Sequence, residues 1–193
     1  MVSREYLTEG FWNDFFQSEV RHLIRLYEQN AFSYELPKEE QLRSDLYGYL
    51  TEKNYFVEIE SDLIEKSTEK VKSEFDLRVL SDDADFFIEI KRTWGMQDLM
   101  NKYGEFLESW KDDINKLLLA GTDSYTLRST QRYCCFFLIA FYDNPTFRSR
   151  LKINELHEYI LKKVTPTRFE SVGTKLNNTI SCDFFVWVFK PQR

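Results

Sequence analysis

The stretch DFFIEIKRTWG, residues 85 to 95, decides the fold because it reads as a β-strand that must be buried. Side chains alternate between the two faces of a strand, so Phe86, Ile88 and Ile90 share one face. Phe87 lies on the other face together with Glu89 and Lys91. A strand with bulky apolar residues on both faces is normally covered on both. We therefore expect an acid and a base two residues apart in or near a protein interior.

The composition predicts a soluble globular protein with one well-filled core. The 193 residues are 42% hydrophobic, 30% charged and 17% aromatic, and this length suits a single domain. The longest uncharged apolar run, YCCFFLIAFY at 133 to 142, is about half of the ~20 residues that a membrane-spanning helix needs. The first residues do not resemble a signal peptide. Three cysteines without a CxxC pair or a disulfide framework favour a reducing, cytoplasmic location.

Charge is distributed unevenly along the chain. The net charge is −6, yet residues 126 to 193 carry 11 Lys and Arg against 5 Asp and Glu. The C-terminal third is therefore basic and the remainder acidic. The negative net charge does not by itself exclude a nucleic-acid partner. The chain has only two histidines, which argues against a histidine-based metal site and against a Ser-His-Asp triad.

Hydrophobic periodicity predicts nine elements in the order α-α-β-β-β-α-β-α-β. The predicted helices span 5–30, 37–53, 96–119 and 146–164, and the predicted strands begin at residues 55, 74, 85, 131 and 183. Residues 65 to 73 are expected to form a solvated loop or a frayed helix. The fold class is α/β (α+β), with a central mixed β-sheet flanked by helices.

We expect one domain over residues 1–193 with three parts. Residues 1–34 form an N-terminal helical extension, 37–142 the central core, and 143–193 a C-terminal helix and strand with a basic bias. The aromatic-rich first helix precedes the core, so it is a candidate for dimerisation or for docking of a partner.

The segment SDDA, residues 81 to 84, is suited to a hairpin turn. Leu80 then pairs with Asp85, and counting back along both strands places Asp76 opposite Glu89. Opposed side chains have Cβ atoms about 4.5–5.5 Å apart, so two carboxylates there repel unless a cation lies between them.

Two other readings of this cluster stay open. The carboxylates and the lysine could form a cluster at a frayed, solvent-exposed end of the sheet. A register two residues different would set Glu89 opposite Glu74 or Arg78, and the Arg78 pairing would be an ordinary ion pair.

Asp76 followed by Glu89-Ile90-Lys91 resembles the D…(D/E)xK signature of the PD-(D/E)XK, or restriction-endonuclease-like, nuclease superfamily. The element order from residue 37 to 142, α-β-β-β-α-β, is similar to that of the superfamily, so the resemblance covers about the middle half of the chain. Phe75 stands where a proline is common. The resemblance implies a restriction-endonuclease-like core.

By position, the resemblance implies that Asp76, Glu89 and the backbone carbonyl of Ile90 bind Mg²⁺, with Mn²⁺ as an alternative. Hard oxygen ligands suit these ions. Lys91 would hold the attacking water or stabilise charge on the scissile phosphate.

Many members add an acid from the preceding helix. Glu40 is the best match for it, with Glu39 or Asp45 as alternatives. The alternative is that these acids only stabilise the helix, because a negative charge in the first turn interacts favourably with the helix dipole.

Other side chains are candidates for nucleic-acid contact. Trp94 could stack on a base, or it could fill the corner between strand and helix. Gln97 and Tyr103 resemble a glutamine-tyrosine pair that some branches carry, although their spacing is six rather than four. The late helix and the loop after it present basic residues suited to phosphate, or to a solvated helix face: Arg148, Arg150, Lys152, Lys162, Lys163 and Arg168.

These features together predict a metal-dependent endonuclease that hydrolyses phosphodiester bonds, with DNA favoured over RNA. A homodimer through the N-terminal helix is an option, and no membrane partner is expected. The alternative is a catalytically inactive nuclease-like fold that binds nucleic acid or protein. A third reading is an unrelated α/β protein in which Glu89 and Lys91 form a structural pair; it would gain support if Asp76 and Glu89 were distant.

Overall fold

A computed structural model describes residues 10–29, 38–64, 71–80, 84–94, 96–120, 131–142, 153–176, 178 and 180–190. The helices are α1 (Phe11–Gln29), α2 (Glu39–Glu52), α3 (Met96–Leu119) and α4 (Ile153–Lys163). The strands are β1 (Phe56–Ile64), β2 (Val71–Leu80), β3 (Ala84–Trp94), β4 (Gln131–Tyr142), β5 (Pro166–Lys175) and β6 (Ser181–Phe189).

The strands form a six-stranded mixed sheet in the order β1-β2-β3-β4-β6-β5. Strands β3 and β4 are parallel, and the other neighbours are antiparallel. A parallel pair needs a crossover, and α3 lies in the connection between β3 and β4. The predicted mixed α/β class, with a central mixed sheet and helices, is confirmed.

Helices cover both faces of the sheet, which makes three layers. On one face α1 and α2 pack against the sheet, with Leu42, Leu46 and Leu50 fully buried; α3 and α4 pack on the other face. The two faces of β3 contribute to the two cores as its alternation predicts: Ile88 packs in the first and Phe87 in the second. Glu89 is 1% exposed, so the expectation of a buried acid is confirmed.

Helix α1 packs into the same core as the sheet. Trp12, Phe15 and Phe16 are almost fully buried, and their rings contact Phe137 of β4. These aromatic side chains therefore belong to the hydrophobic core and do not form an exposed surface for a partner. A homodimer through this helix gains no support from them.

The predicted element order lacks one strand. Residues 166–175, which include Arg168 and were assigned to a loop, form β5 at the edge of the sheet. Pro166, Gly173 and a polar sequence hide this strand, because an edge strand needs only a half-buried alternation. Residues 71–73, also expected outside the sheet, belong to β2.

The remaining bounds differ in detail. Helix α4 begins at Ile153, inside the predicted 146–164, and residues 146–152 lie outside the described part of the chain. Of the helices in the described ranges, none combines the length and the apolar character needed to cross a membrane.

Candidate metal centre where the sheet opens

Strands β2 and β3 separate at the predicted site. Leu80 pairs with Asp85, as the SDDA turn predicts, and the ladder continues to Leu77 and Ile88, where it ends. Beyond that point β2 stays paired with β1 only. The sheet therefore opens between β2 and β3 at the next position along each strand, which is Asp76 and Glu89.

Asp76 bridges this opening. Its Oδ2 accepts a hydrogen bond from the backbone N–H of Ile90 at 2.7 Å, and its Oδ1 lies 3.6 Å from Nη1 of Arg43. The carboxylate thus satisfies an N–H that the ended ladder leaves without a backbone partner. Because the N–H and C=O of one strand residue point to the same side, the carbonyl of Ile90 faces the same opening.

Glu89 is buried between two lysines. Nζ of Lys116 contacts Oε1 directly, and Nζ of Lys91 is 3.7 Å from Oε2. Burial, followed by the charge of Asp76, raises the pKa of Glu89 to about 8, although both lysines act to lower it. The charge of Asp76 is therefore close enough to disfavour the charged form of Glu89, an effect that a bound cation would reverse.

Lys91 is kept charged by its acidic neighbours. Its Nζ lies 3.3 Å from Oδ2 of Asp113 on α3. Burial works against the charge, but Asp113 and then Glu89 outweigh it and raise the pKa of Lys91 above its ordinary value. The side chain is therefore an ammonium donor at neutral pH and not a general base.

Of the acids at the start of α2, Glu39 is the one that faces the site. Its Oε1 accepts a hydrogen bond from the backbone N–H of Arg92 at 3.2 Å. Burial raises the pKa of Glu39, whereas the charge of Lys91 lowers it. Glu40 is exposed, and Asp45 interacts with Glu19 on α1. The geometry favours Glu39 over Glu40 and Asp45 as the helix acid.

The opening is a cleft of about 360 Å³. Its lining consists of one aromatic ring, three cations and four carboxylates: Phe75, Arg43, Lys91, Lys116, Glu60, Glu74, Asp76 and Glu89. The carboxylates exceed the cations by one. Glu60 also has a left-handed backbone, with φ of 50°, and such strain is concentrated at functional sites.

The donor set fits a hard divalent cation. Within the described ranges, no three side chains of the His, Cys, Asp and Glu types form a complete metal site. Mg²⁺ does not require one, because it is usually bound through one or two carboxylates and keeps several waters. Asp76, Glu89 and the Ile90 carbonyl provide two carboxylates and one further oxygen.

The candidate nucleic-acid contacts are mostly outside the described structure. Trp94 is the last residue of β3, opposite Phe141, but its side chain, like those of Gln97 and Tyr103, is not described. Arg148, Arg150 and Lys152 lie outside the described ranges. Lys162 and Lys163 are exposed in the last turn of α4, and Arg168 is ion-paired with Glu170. Phosphate binding by these residues stays a prediction.

Sequence reasoning missed five charged residues in or beside the cleft: Lys116, Asp113, Arg43, Glu60 and Glu74. Asp113 and Lys116 lie three residues apart beside the apolar stripe of α3, and no motif marks them. Arg43 follows the buried Leu42. The periodicity shows that such residues lie beside an apolar stripe, but not that the sheet opens beneath them.

The fold and the site define a mixed α/β protein with an acid and lysine cluster at an opening in its sheet. Comparison with protein-family models, with curated proteins and with solved structures gives no significant match. Membership of the PD-(D/E)XK superfamily therefore rests on the motif and stays a prediction.

Proposed function

We propose that the chain is a metal-dependent nuclease that hydrolyses phosphodiester bonds, with DNA favoured over RNA. One observation carries the proposal: Asp76, Glu89, Lys91 and the Ile90 carbonyl meet where β2 and β3 separate. The spacing of a short motif occurs by chance, whereas convergence of its residues at an open, charged cleft requires the fold.

Asp76, Glu89 and the Ile90 carbonyl would hold Mg²⁺, and Mn²⁺ would suit the same oxygens. When bound, such an ion makes a water more acidic and offsets negative charge on a phosphate. The cleft itself supports a cation, since the carboxyl oxygens of Asp76 and Glu89 both lie in its lining.

Lys91 would act on the phosphate as a fixed ammonium. Nζ of Lys91 lies 3.3 Å from Oδ2 of Asp113, and this ion pair holds the ammonium at the cleft. The position of Lys91 therefore needs no reorganisation when substrate binds. There it would orient the attacking water or stabilise the charge that develops on the scissile phosphate. Glu39 would support this arrangement through β3, because it binds the N–H of the residue that follows Lys91.

A second candidate function is binding without catalysis. It is favoured by the direct contact between Lys116 and Glu89, since an ammonium already occupies one of the two carboxyl groups that a metal would need. In this reading the cleft is a structural ion-pair network, and the fold serves as a nucleic-acid-binding or protein-binding module.

Incubation with plasmid, linear duplex and single-stranded DNA and with RNA separates the two functions. The nuclease cleaves in Mg²⁺ or Mn²⁺ and not in chelator, and it prefers DNA. The binding module shifts the mobility of a nucleic acid without cutting it. Absence of cleavage, together with a melting temperature unchanged by Mn²⁺, would contradict the nuclease, because a ligand of the folded state must stabilise it.

A further inference from the structure

Lys116 lies within reach of two carboxylates, and only one of them belongs to the motif. Its Nζ contacts Oε1 of Glu89 and is 3.7 Å from Oδ1 of Asp113. It lies 5.4 Å from the ring centroid of Phe75, at the wall of the cleft. The ammonium can therefore change carboxylates without leaving the site.

We propose that Lys116 is a tethered counter-ion: it pairs with Glu89 in the metal-free chain, is displaced from it by a divalent cation, and then pairs with Asp113, from where it reaches a phosphate. This inference rests on the proposed metal site. It assigns a role to a residue outside the D…ExK motif.

The exchange follows from charge and distance. A divalent ion bound by Glu89 would lie about 2 Å from a carboxylate oxygen, and an ammonium in contact with the same carboxylate would be repelled by it. Asp113 precedes Lys116 by three residues on α3, so the two side chains are neighbours on the helix surface. The flexible lysine stem can make this change while the backbone stays in place.

The contact also gives the buried Glu89 a cationic partner before a metal arrives. Glu89 is 1% exposed, and an isolated charge at such a position is costly. Lys91 is more distant from it, at 3.7 Å from Oε2, and is closer to Asp113. Lys116 is therefore the principal counter-ion of Glu89 and the principal competitor of a metal.

Lys116→Met tests this role, because methionine keeps the apolar stem and removes the charge. Lys111→Met is the matched control: Lys111 also lies on α3, pairs with Glu108 at 2.7 Å and lies 5.5 Å from the ring centroid of Tyr159. Lys116→Arg retains the charge. Mn²⁺ affinity measured by calorimetry, melting in chelator, and DNA affinity in Ca²⁺ by anisotropy are the readouts.

For Lys116→Met we expect Mn²⁺ to bind at least about tenfold more tightly, a lower melting temperature in chelator that Mn²⁺ restores, and weaker DNA binding in Ca²⁺. Lys111→Met and Lys116→Arg should keep the wild-type Mn²⁺ affinity within about twofold. An unchanged or weaker Mn²⁺ affinity in Lys116→Met, with wild type binding Mn²⁺, would overturn this inference and leave the nuclease standing.

The other combinations of Mn²⁺ binding and cleavage also distinguish the counter-ion role from the nuclease function. Tighter Mn²⁺ binding by Lys116→Met without any cleavage of nucleic acid by wild type would support the counter-ion role and reject the nuclease. Absence of Mn²⁺ binding by wild type and by Lys116→Met alike would overturn both.

Discussion

The carboxylate of Asp76 accepts a hydrogen bond from the backbone N–H of Ile90 at the residue where β2 stops pairing with β3. This bond joins the two halves of the motif, because Ile90 is the middle residue of the Glu-Ile-Lys tripeptide. Asp76 therefore has a structural role that can be measured separately from its proposed role as a metal ligand.

Asp76→Asn and Asp76→Ala separate these roles. Asparagine keeps an oxygen that can accept the Ile90 N–H, whereas alanine leaves it unpaired. In chelator we expect Asp76→Ala to be less stable than Asp76→Asn by about 1 kcal/mol. Both variants should lose the stabilisation by Mn²⁺ that wild type shows. Denaturant unfolding measures this, and full Mn²⁺ stabilisation of Asp76→Asn would exclude its carboxylate as a ligand.

Adjacent acids on α2 should differ in their effect on cleavage. Glu39 binds the N–H of Arg92, while Glu40 is exposed. We expect Glu39→Ala, which removes the acceptor, to lower the cleavage rate about tenfold or more, as loss of supporting interactions does at metal sites. Glu40→Ala, the matched control, should stay within about twofold of wild type. A larger loss in Glu40→Ala would restore Glu40 as the helix acid.

The buried Glu19 on α1 should make stability depend on pH. Burial, with the charge and hydrogen bond of Asp45, raises the pKa of Glu19 from 4.5 to about 8. Between these values the unfolded chain loses this proton and the folded chain keeps it, so its contribution to stability falls as pH rises. Below about pH 4.5 both states are protonated, and above about pH 8 the loss is complete.

Glu19→Gln removes this dependence. We expect the variant to exceed wild type in free energy of unfolding by on the order of 2 kcal/mol at pH 7.5 and by much less at pH 4.5. Urea unfolding at several pH values gives the difference. A difference that is the same at all pH values would show that Glu19 is not protonated in the folded chain.

Helix α1 should be indispensable to the fold. Trp12 is fully buried against Phe16 and Phe137, so Trp12→Ala should lower the free energy of unfolding by about 3–5 kcal/mol. Its exposed neighbour provides the control, Asn13→Ala, with an expected change within about 0.5 kcal/mol. Wild-type stability of Trp12→Ala would show that residues 1–34 are a separable extension.

The sequence was most informative where two local signals agree. In β3, alternation predicted which side chains face each core, and the SDDA turn predicted the pairing of Leu80 with Asp85. A turn and a two-residue period together specify a register, because a slip by one residue would exchange the side chains that face the two cores. The position of Asp76 next to Glu89 follows from that register.

What the sequence could not predict depends on tertiary packing. One residue corresponds to about 100° around a helix, so the choice between Glu39 and Glu40 requires the orientation of α2 on the sheet. Lys116 enters the site from α3 and follows Lys91, the last residue of the motif, by 25 residues. Strand β5 was missed because an edge strand needs little apolar surface.

Cleavage of plasmid DNA by wild type and by Lys91→Ala, in Mg²⁺ and in chelator, tests the central claim most directly. Lys53→Ala, at an exposed lysine of the α2 C-terminus, controls for loss of a positive charge and for contaminating nuclease. The nuclease account predicts cleavage by wild type and Lys53→Ala in Mg²⁺ only, and a loss of at least about a hundredfold in Lys91→Ala. Equal cleavage by wild type and Lys91→Ala, or no cleavage by wild type, would contradict it.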